Sequence, residues 1–214
     1  MLITPKKSYH ITTDSHHRFR MHKNTISESE IEFERPEQVW VSDITYTGNR
    51  KNPSYLALVT DAYSKKIMGY DVSASLEMEG SIRALEMAFK KRRYADMPLI
   101  HLSDRGLQYY SNEYQQLLKD KFVSTSMTEK YDPYENAIAE RVNGILKQEF
   151  AIAAYDTDLT TKKMIIKDAI KLYNSLRPHL SNHMLTPDIM HTQQKRKRKQ
   201  YKSKKLNNDV IVQL

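Results

Sequence analysis

The chain has 214 residues, which is enough for one domain with flanking segments. It contains no cysteine, so disulfides, cysteine-based zinc sites and a cysteine nucleophile are excluded. The formal net charge is +8, and no apolar run reaches the roughly 18 residues that a membrane span needs, so we expect a charged surface and no membrane partner.

Residues 1–34 are polar, and the hydrophobic pattern begins after them. The stretch 39–46 alternates and is rich in β-branched and aromatic residues, which predicts a strand. The stretch 55–60 is almost wholly apolar, which predicts a strand buried on both faces. The predicted elements are strands at 39–46, 55–60 and 66–72, a helix from about 75 to 92, a strand at 99–103, a helix at 113–121, a strand at 122–126, and helices at about 137–150, 161–174 and 186–188.

This order predicts an α/β fold. The first three strands are expected to form an antiparallel meander, because only short turns separate them. The later strands alternate with helices, which favours parallel strands joined by crossover helices. The result is a mixed sheet with flanking helices.

Two acidic residues lie on or next to apolar strands. Asp43 interrupts the first strand, where aspartate is disfavoured, and Asp104 follows the fourth strand immediately. An aspartate in the first position is equally typical of an edge strand with a solvated acid. One in the second position is equally typical of a turn or a helix cap.

A third acid, Glu140, lies at the centre of a polar helix face. At about 100° per residue, Asn136, Asn143, Gly144 and Lys147 fall near Glu140, and the apolar residues fall opposite. An ordinary solvated face would have the same pattern. If the three acids converge, their repulsion in a partly buried site indicates bound divalent cations. Two such ions can support in-line phosphoryl transfer.

A basic block lies near the end of the chain. Eight of the eleven residues from Lys195 to Lys205 are lysine or arginine, and without them 26 basic and 26 acidic residues remain. Such a block attracts phosphates, although it is equally typical of a solubility tail.

Four motifs together resemble the catalytic core of retroviral integrases and bacterial insertion-sequence transposases, the DDE group with a ribonuclease-H-like fold. The motifs lie at 38–46, 101–109, 134–141 and 173–179, and the resemblance extends from about Arg35 to Asp188. Thirty-five residues separate Asp104 from Glu140, the spacing typical of this group. The chain is most similar to the downstream product of two-frame insertion sequences.

The resemblance implies a ribonuclease-H-like mixed five-stranded sheet and a metal-dependent transposase. It implies that Asp43, Asp104 and Glu140 are the catalytic residues and bind two Mg²⁺ or Mn²⁺ ions. It also implies that the partners are DNA element ends and target DNA. The predicted DNA contacts are Asn136, Arg141, Asn143, Lys147, Lys195, Arg196, Lys197, Arg198 and Lys199.

The predicted organisation has four parts. Residues 1–34 are an arm that resembles the remnant of a helical DNA-binding segment, and 35–155 are the catalytic core. Residues 156–192 are a helical extension, and 193–214 are a basic tail. Relatives usually carry a longer segment before the core, so either the chain is truncated or a separate protein supplies end recognition.

Because the chemistry acts on paired DNA ends, we expect a homo-oligomer on DNA. The resemblance to bacterial transposases implies a location in the bacterial cytoplasm, at the nucleoid. Two alternatives remain open. One is a structure-specific nuclease on the same fold. The other is a catalytically silent DNA-binding or regulatory protein derived from a transposase.

Overall fold

A computed structural model of the chain describes residues 33–49, 51–104, 106–127 and 137–193. These residues contain one five-stranded sheet with the strand order β3-β2-β1-β4-β5. The strands are β1 (Val39–Tyr46), β2 (Tyr55–Asp61), β3 (Ile67–Ser73), β4 (Ile100–Ser103) and β5 (Ser124–Met127). Strands β1 to β3 are antiparallel, and β4 and β5 run parallel to β1, which confirms the predicted meander and mixed sheet.

Six α-helices flank this sheet in the described part of the chain. They are α1 (Met78–Lys90), α2 (Leu107–Tyr110), α3 (Asn112–Asp120), α4 (Ala137–Gln148), α5 (Leu159–Leu176) and α6 (Pro187–His191). None of the described helices is long and apolar enough to cross a membrane.

The helix predicted at 113–121 is α3, which begins at Asn112 and ends at Asp120, and the short helix α2 precedes it. Ser111 separates them with a non-helical backbone, and its side chain accepts a hydrogen bond from the Tyr114 amide as the cap of α3. The pattern of the sequence did not predict the short helix α2, which ends at this cap.

The fifth strand begins later than predicted. Phe122 has a φ of 53° and is 93% exposed, so it belongs to the turn after α3 and not to the strand. The Val123 amide donates to the Leu118 carbonyl, which completes this turn before β5 begins at Ser124. An apolar residue at a tight turn thus resembled the start of a strand.

The two faces of the sheet carry separate hydrophobic clusters. Helices α1 and α3 cover one face, on which Trp40 and Ile44 of β1 are buried. Helices α4 and α5 cover the other face, and Val39 and Val41 of β1 belong to that side. Because side chains alternate along a strand, Asp43 also faces α4.

Candidate active site

The first two acids are neighbours across the sheet. Strands β1 and β4 are parallel, and Ser42 lies opposite Ser103 in their register. An aspartate follows each of these serines in the sequence, so Asp43 and Asp104 lie side by side on neighbouring segments of the sheet. Both side chains are half-buried.

Helix α4 carries the third acid on the helix face that contacts Asp43. The Nδ2 atom of Asn143 donates a hydrogen bond of 2.6 Å to Oδ2 of Asp43. Glu140 lies one turn before Asn143 and Lys147 one turn after it, so the three residues share one helix face. This face therefore lies over the middle of β1, and Glu140 is exposed on it.

The acids repel one another. Burial raises the pKa of Asp43 most, the negative charge of Asp104 raises it further, and Glu140 adds to the effect. The hydrogen bond from Asn143 acts in the opposite direction, and the resulting pKa of Asp43 is about 7. The cluster therefore holds more negative charge than it can stabilise alone, and a cation would relieve the repulsion.

Lys147 is the basic side chain of α4 that acts on this cluster. Burial lowers the pKa of the Lys147 ammonium, and the charge of Asp43 partly reverses that shift. Arg141, the other basic residue of α4 predicted to contact DNA, lies near a different group of residues, because its charge acts on Glu149 and His179. Of these two cations, Lys147 therefore lies nearer the acids.

A buried hydrogen-bond network supports the strand ends from the opposite face. The Nε2 atom of His101 lies 2.8 Å from Oγ of Ser42 and 2.9 Å from the hydroxyl of Tyr114. Burial lowers the pKa of His101 to about 3, so its imidazole is neutral. The network joins β1, β4 and α3 directly beside the two aspartates.

Sequence reasoning included His101 in a motif but did not find this role. Its position within a buried strand was the signal available, because a buried histidine needs hydrogen-bond partners. Tyr109 ends the same motif, and sequence reasoning did not find its role either. Burial raises the pKa of the Tyr109 hydroxyl, and Asp104 and Asp43 raise it further, so its ring lies close to both acids.

The donor set fits divalent cations in its chemistry. Magnesium and manganese prefer carboxylate oxygens, and Asp43 and Asp104 present theirs side by side. One Asp104 oxygen also accepts a hydrogen bond from the Gly106 amide, as expected for an aspartate at a turn. Within the described residues, no three histidine, aspartate or glutamate side chains are close enough to hold one ion together.

The other predicted DNA contacts have different positions. Asn143 is only 5% exposed, and its side-chain amide donates a hydrogen bond to Asp43 instead of lying on the surface. Arg141 is exposed on α4. Asn136 and the basic residues 195–199 lie outside the described residues.

Comparisons with known proteins agree on one family. A family model described as "Integrase core domain" matches residues 34–133, and a second model with the same description matches residues 121–187. The transposase for insertion sequence element IS629 of Shigella sonnei is 40% identical over 53% of this chain and 38% of its own length.

Two further relatives match more of the chain. The IS600 uncharacterized 31 kDa protein of Shigella sonnei is 32% identical over 81% of this chain and 64% of its own length. The putative transposase InsK for IS150 of Escherichia coli is 32% identical over 72% of this chain and 54% of its own length. The chain therefore matches less than two thirds of the length of each of these relatives.

Solved structures agree on the fold. The HTLV-2 integrase catalytic core domain in complex with magnesium, in its trimeric form, is 20% identical, with a TM-score of 0.57 over 73% of this chain and 97% of that one. A chain of the simian T-cell lymphotropic virus intasome is 19% identical, with a TM-score of 0.63 over 82% of this chain and 60% of that one. The predicted ribonuclease-H-like fold is confirmed.

Proposed function

The chain belongs to the integrase core domain family, and from this premise we propose that it is a DDE transposase. Its proposed activity is metal-dependent cleavage and joining of DNA strands at the ends of an insertion element. The observation that carries the proposal is the side-by-side placement of Asp43 and Asp104 beneath the helix face of Glu140 and Asn143.

Asp43, Asp104 and Glu140 are the proposed metal ligands. The raised pKa of Asp43, caused by its burial and by the two neighbouring acids, supports a bound cation there. Two Mg²⁺ or Mn²⁺ ions would supply activation of the attacking oxygen and stabilisation of the leaving oxygen. The HTLV-2 integrase core, which shares the fold, was solved in complex with magnesium.

The proposed reaction has two displacements at phosphorus. In the first, a water oxygen attacks the phosphodiester at the element end, the bond to the 3′ oxygen breaks, and a 3′-hydroxyl is released. In the second, that hydroxyl oxygen attacks a target phosphodiester, a new bond to phosphorus forms, and the target's own 3′ oxygen leaves. Neither step requires a covalent bond to the protein.

The chain's own residues would orient these steps. Asn143 fixes one oxygen of Asp43 by its hydrogen bond, so the other oxygen keeps a defined direction. Lys147 would hold a phosphate beside the acids, and Arg141 and Lys195–Lys199 would bind the DNA backbone without reading sequence. Asn136 is also proposed to lie near the DNA.

The wider assignments belong to the same proposal. The partners are element-end and target DNA, and the working form is a homo-oligomer on DNA. A separate protein that supplies end recognition is a further proposed partner. The bacterial relatives support a cytoplasmic protein at the nucleoid.

The test is a strand-transfer assay with labelled oligonucleotides that carry the flanking ends of the source element. We expect joined products with Mg²⁺ or Mn²⁺ and none with a chelator. Glu140→Gln should abolish joining and leave DNA binding measurable. Glu86→Gln is the matched control, because Glu86 is exposed on α1 and should not affect joining.

Three results would contradict the proposal. Normal joining by Glu140→Gln would remove Glu140 from the mechanism. Hydrolysis without joining would favour a structure-specific nuclease. DNA binding without any metal-dependent turnover would favour a silent regulatory protein.

A further inference from the structure

A glycine lies within helix α4 at a place where the packing of the described residues does not require one. Gly144 is inside the span Ala137–Gln148, and glycine in a helix interior is less favourable than alanine, because it loses more backbone freedom on folding. Among the described residues, a Cβ atom added to Gly144 would approach no side chain and no neighbouring element to within 4 Å. The described part of the fold therefore gives no reason for this glycine.

Two other glycines show what a packing requirement looks like. In β3, a Cβ atom on Gly69 would clash with the carbonyl oxygen of Ala84, so only glycine lets α1 pack this closely. In α1, a Cβ atom on Gly80 would lie 3.0 Å from Oγ of Ser73. Gly144 differs from both, because its open side faces space that no described residue fills. Such a position suits the close approach of a partner from outside the chain.

The four nearest positions on the helix surface surround this opening with polar side chains. Residues three and four positions apart are neighbours in an α-helix, and for Gly144 these are Glu140, Arg141, Lys147 and Gln148. At about 100° per residue, Arg141 and Lys147 lie about 60° to either side of Gly144. Glu140 and Gln148 lie one turn before it and one turn after it. Gly144 is therefore the floor of a shallow depression with a cation on each side.

The side chains around the depression are available to a ligand. Arg141 and Gln148 are exposed, and Lys147 is half-buried. A phosphodiester carries a negative charge and accepts hydrogen bonds, so two cations and an amide suit it. Because Gly144 has no Cβ, a phosphate can lie against the helix backbone between the two basic side chains.

The depression adjoins the two aspartates. Asn143, the residue before Gly144, donates its hydrogen bond of 2.6 Å to Asp43. Burial lowers the pKa of the Lys147 ammonium, and the charge of Asp43 partly reverses this shift, so Lys147 lies near both the acid and the depression. Glu140 lies four residues before Gly144, which corresponds to about 6 Å along the helix at about 1.5 Å per residue. A DNA strand bound at the acids therefore reaches Gly144 along the exposed side of α4.

We propose that the surface over Gly144 binds one phosphodiester of the DNA backbone, with Arg141 and Lys147 on its two sides. This inference rests on the proposed function, because it takes DNA as the partner. Gln148 would donate a hydrogen bond from the end of the depression that is farther from Glu140. The contact is to the backbone, so it positions the DNA and does not read its sequence.

Substitutions of Gly144 test the proposal, because they should move stability and DNA affinity in opposite directions. Gly144→Ala should raise the melting temperature by about 2 to 4 °C, since alanine is the better helix former and its methyl group enters free space. Its affinity for duplex DNA that carries the element end should nevertheless fall. Gly144→Leu should lose about 10- to 100-fold in affinity, because a large side chain displaces the phosphate from its charged partners. Affinity is measured on the full chain with a chelator, so that no strand is cleaved.

Gly80→Ala is the matched control. It makes the same change in helix α1, which carries none of the proposed DNA contacts, and the added methyl group would meet Ser73 at 3.0 Å. We expect no rise in the melting temperature and an unchanged DNA affinity of the folded protein. Arg141→Gln and Lys147→Gln should each lower the salt dependence of binding by about one phosphate contact.

A second measurement maps the contact on the wild type. Phosphates near the element end are replaced one at a time by uncharged methylphosphonates, and the affinity for each duplex is measured. At the phosphate that lies on Gly144, the wild type should lose about tenfold or more in affinity. Gly144→Leu should show no further loss at that phosphate, because its contact is already gone, and should keep the losses at the others.

The site is overturned by an unchanged affinity in folded Gly144→Leu, by a lower melting temperature in Gly144→Ala, or by identical methylphosphonate losses in the wild type and Gly144→Leu. Identical losses together with a changed oligomeric state of Gly144→Leu without DNA would assign the glycine to a contact between copies of the chain. Joining by the wild type alongside any of these results leaves the transposase and removes the site. A phosphate contact at Gly144 without joining, with either Mg²⁺ or Mn²⁺, leaves the site and removes the transposase.

Discussion

Two groups of buried or half-buried carboxylates lie at different positions along β1, one at its start and one at its middle, and they differ in how their charge is balanced. At the start of the strand, Glu37 and Asp61 are fully buried and both contact His191. Further along, Asp43 and Asp104 face the exposed glutamate of α4. The same residue type thus occurs in two opposite electrostatic settings in one sheet.

The first group is satisfied from within the protein. His191 lies 3.2 Å from Glu37 and 3.6 Å from Asp61. Burial opposes ionisation of both acids, but hydrogen bonds outweigh it and hold the pKa of each below its ordinary value. Burial also disfavours the His191 cation, yet its hydrogen bonds to the two acids raise its pKa. The group is therefore a structural ion cluster.

The second group lacks this balance. Asn143 gives Asp43 a hydrogen bond but no charge, and the pKa of Asp43 rises to about 7 because burial and neighbouring acids dominate. A carboxylate whose pKa is raised by burial and by neighbouring acids is typical of a functional site, whereas a cluster with balanced charges is typical of a structural role. The comparison teaches that the balance of charge around buried acids, and not burial itself, separates the two roles.

The largest expected effect comes from Asp43→Asn. Joining should fall by about a thousandfold or more, because a metal ligand contributes several kcal/mol to the transition state. The melting temperature should not fall, since the change removes a repelled carboxylate and an amide can still accept the hydrogen bond from Asn143. A strand-transfer assay and a thermal melt measure both. A clear loss of stability would show that the two groups do not differ as described.

Asp61→Asn should have the opposite signature. We expect it to lower the free energy of unfolding by about 3 kcal/mol or more, because one partner of a buried ion cluster is removed. Chemical denaturation measures this. Asp188→Asn is the control, since its ion pair with Lys66 is partly exposed and should contribute less than about 1 kcal/mol. Equal effects of the two variants would contradict a structural role for the cluster.

Asn143→Ala tests the support of the acids. We expect the Mg²⁺ concentration for half-maximal joining to rise about 10- to 100-fold, because residues that orient metal ligands have effects of this size. Asn174→Ala is the control, since Asn174 bonds to the backbone of Ile67 at the edge of the sheet and should change stability but not the Mg²⁺ requirement. An unchanged requirement in Asn143→Ala would remove Asn143 from the site.

The smallest expected effect is the pH dependence of stability. The contribution of His191 is complete below its ordinary pKa of 6.5 and is lost as the pH rises through its raised pKa. The contributions of Glu37 and Asp61 are complete above about pH 4.5 and are lost as the pH falls through their lowered pKa values. This cluster therefore stabilises the fold most between about pH 4.5 and 6.5.

Chemical denaturation from pH 4 to 9 measures this profile. It should be done in the Asp43→Asn background, so that ionisation of the second group does not contribute. His191→Asn should remove the loss of stability above pH 6.5. A loss that persists in that variant would assign it to another group.

The sequence by itself determined the elements and the candidate acids. Alternation in 39–46, the apolar run at 55–60 and the helical stripe of α4 depend on local periodicity, which the chain carries wherever it packs. The same local information missed the short helix α2 before the Ser111 cap, and it began the fifth strand at Phe122, where the structure has a left-handed turn. The role of the three acids was suggested by their motifs and stays a prediction.

Only the tertiary structure decided which of these residues meet. The register of β1 and β4 sets Asp43 beside Asp104, and the packing of α4 turns Asn143 inward to Asp43, although the sequence placed it on a polar face. The contact between Glu37 and His191 joins residues 154 positions apart, and neither residue has a local signal that predicts the other. Periodicity fixes the direction of a side chain within its own element, whereas strand register and helix docking depend on the packing of the whole core.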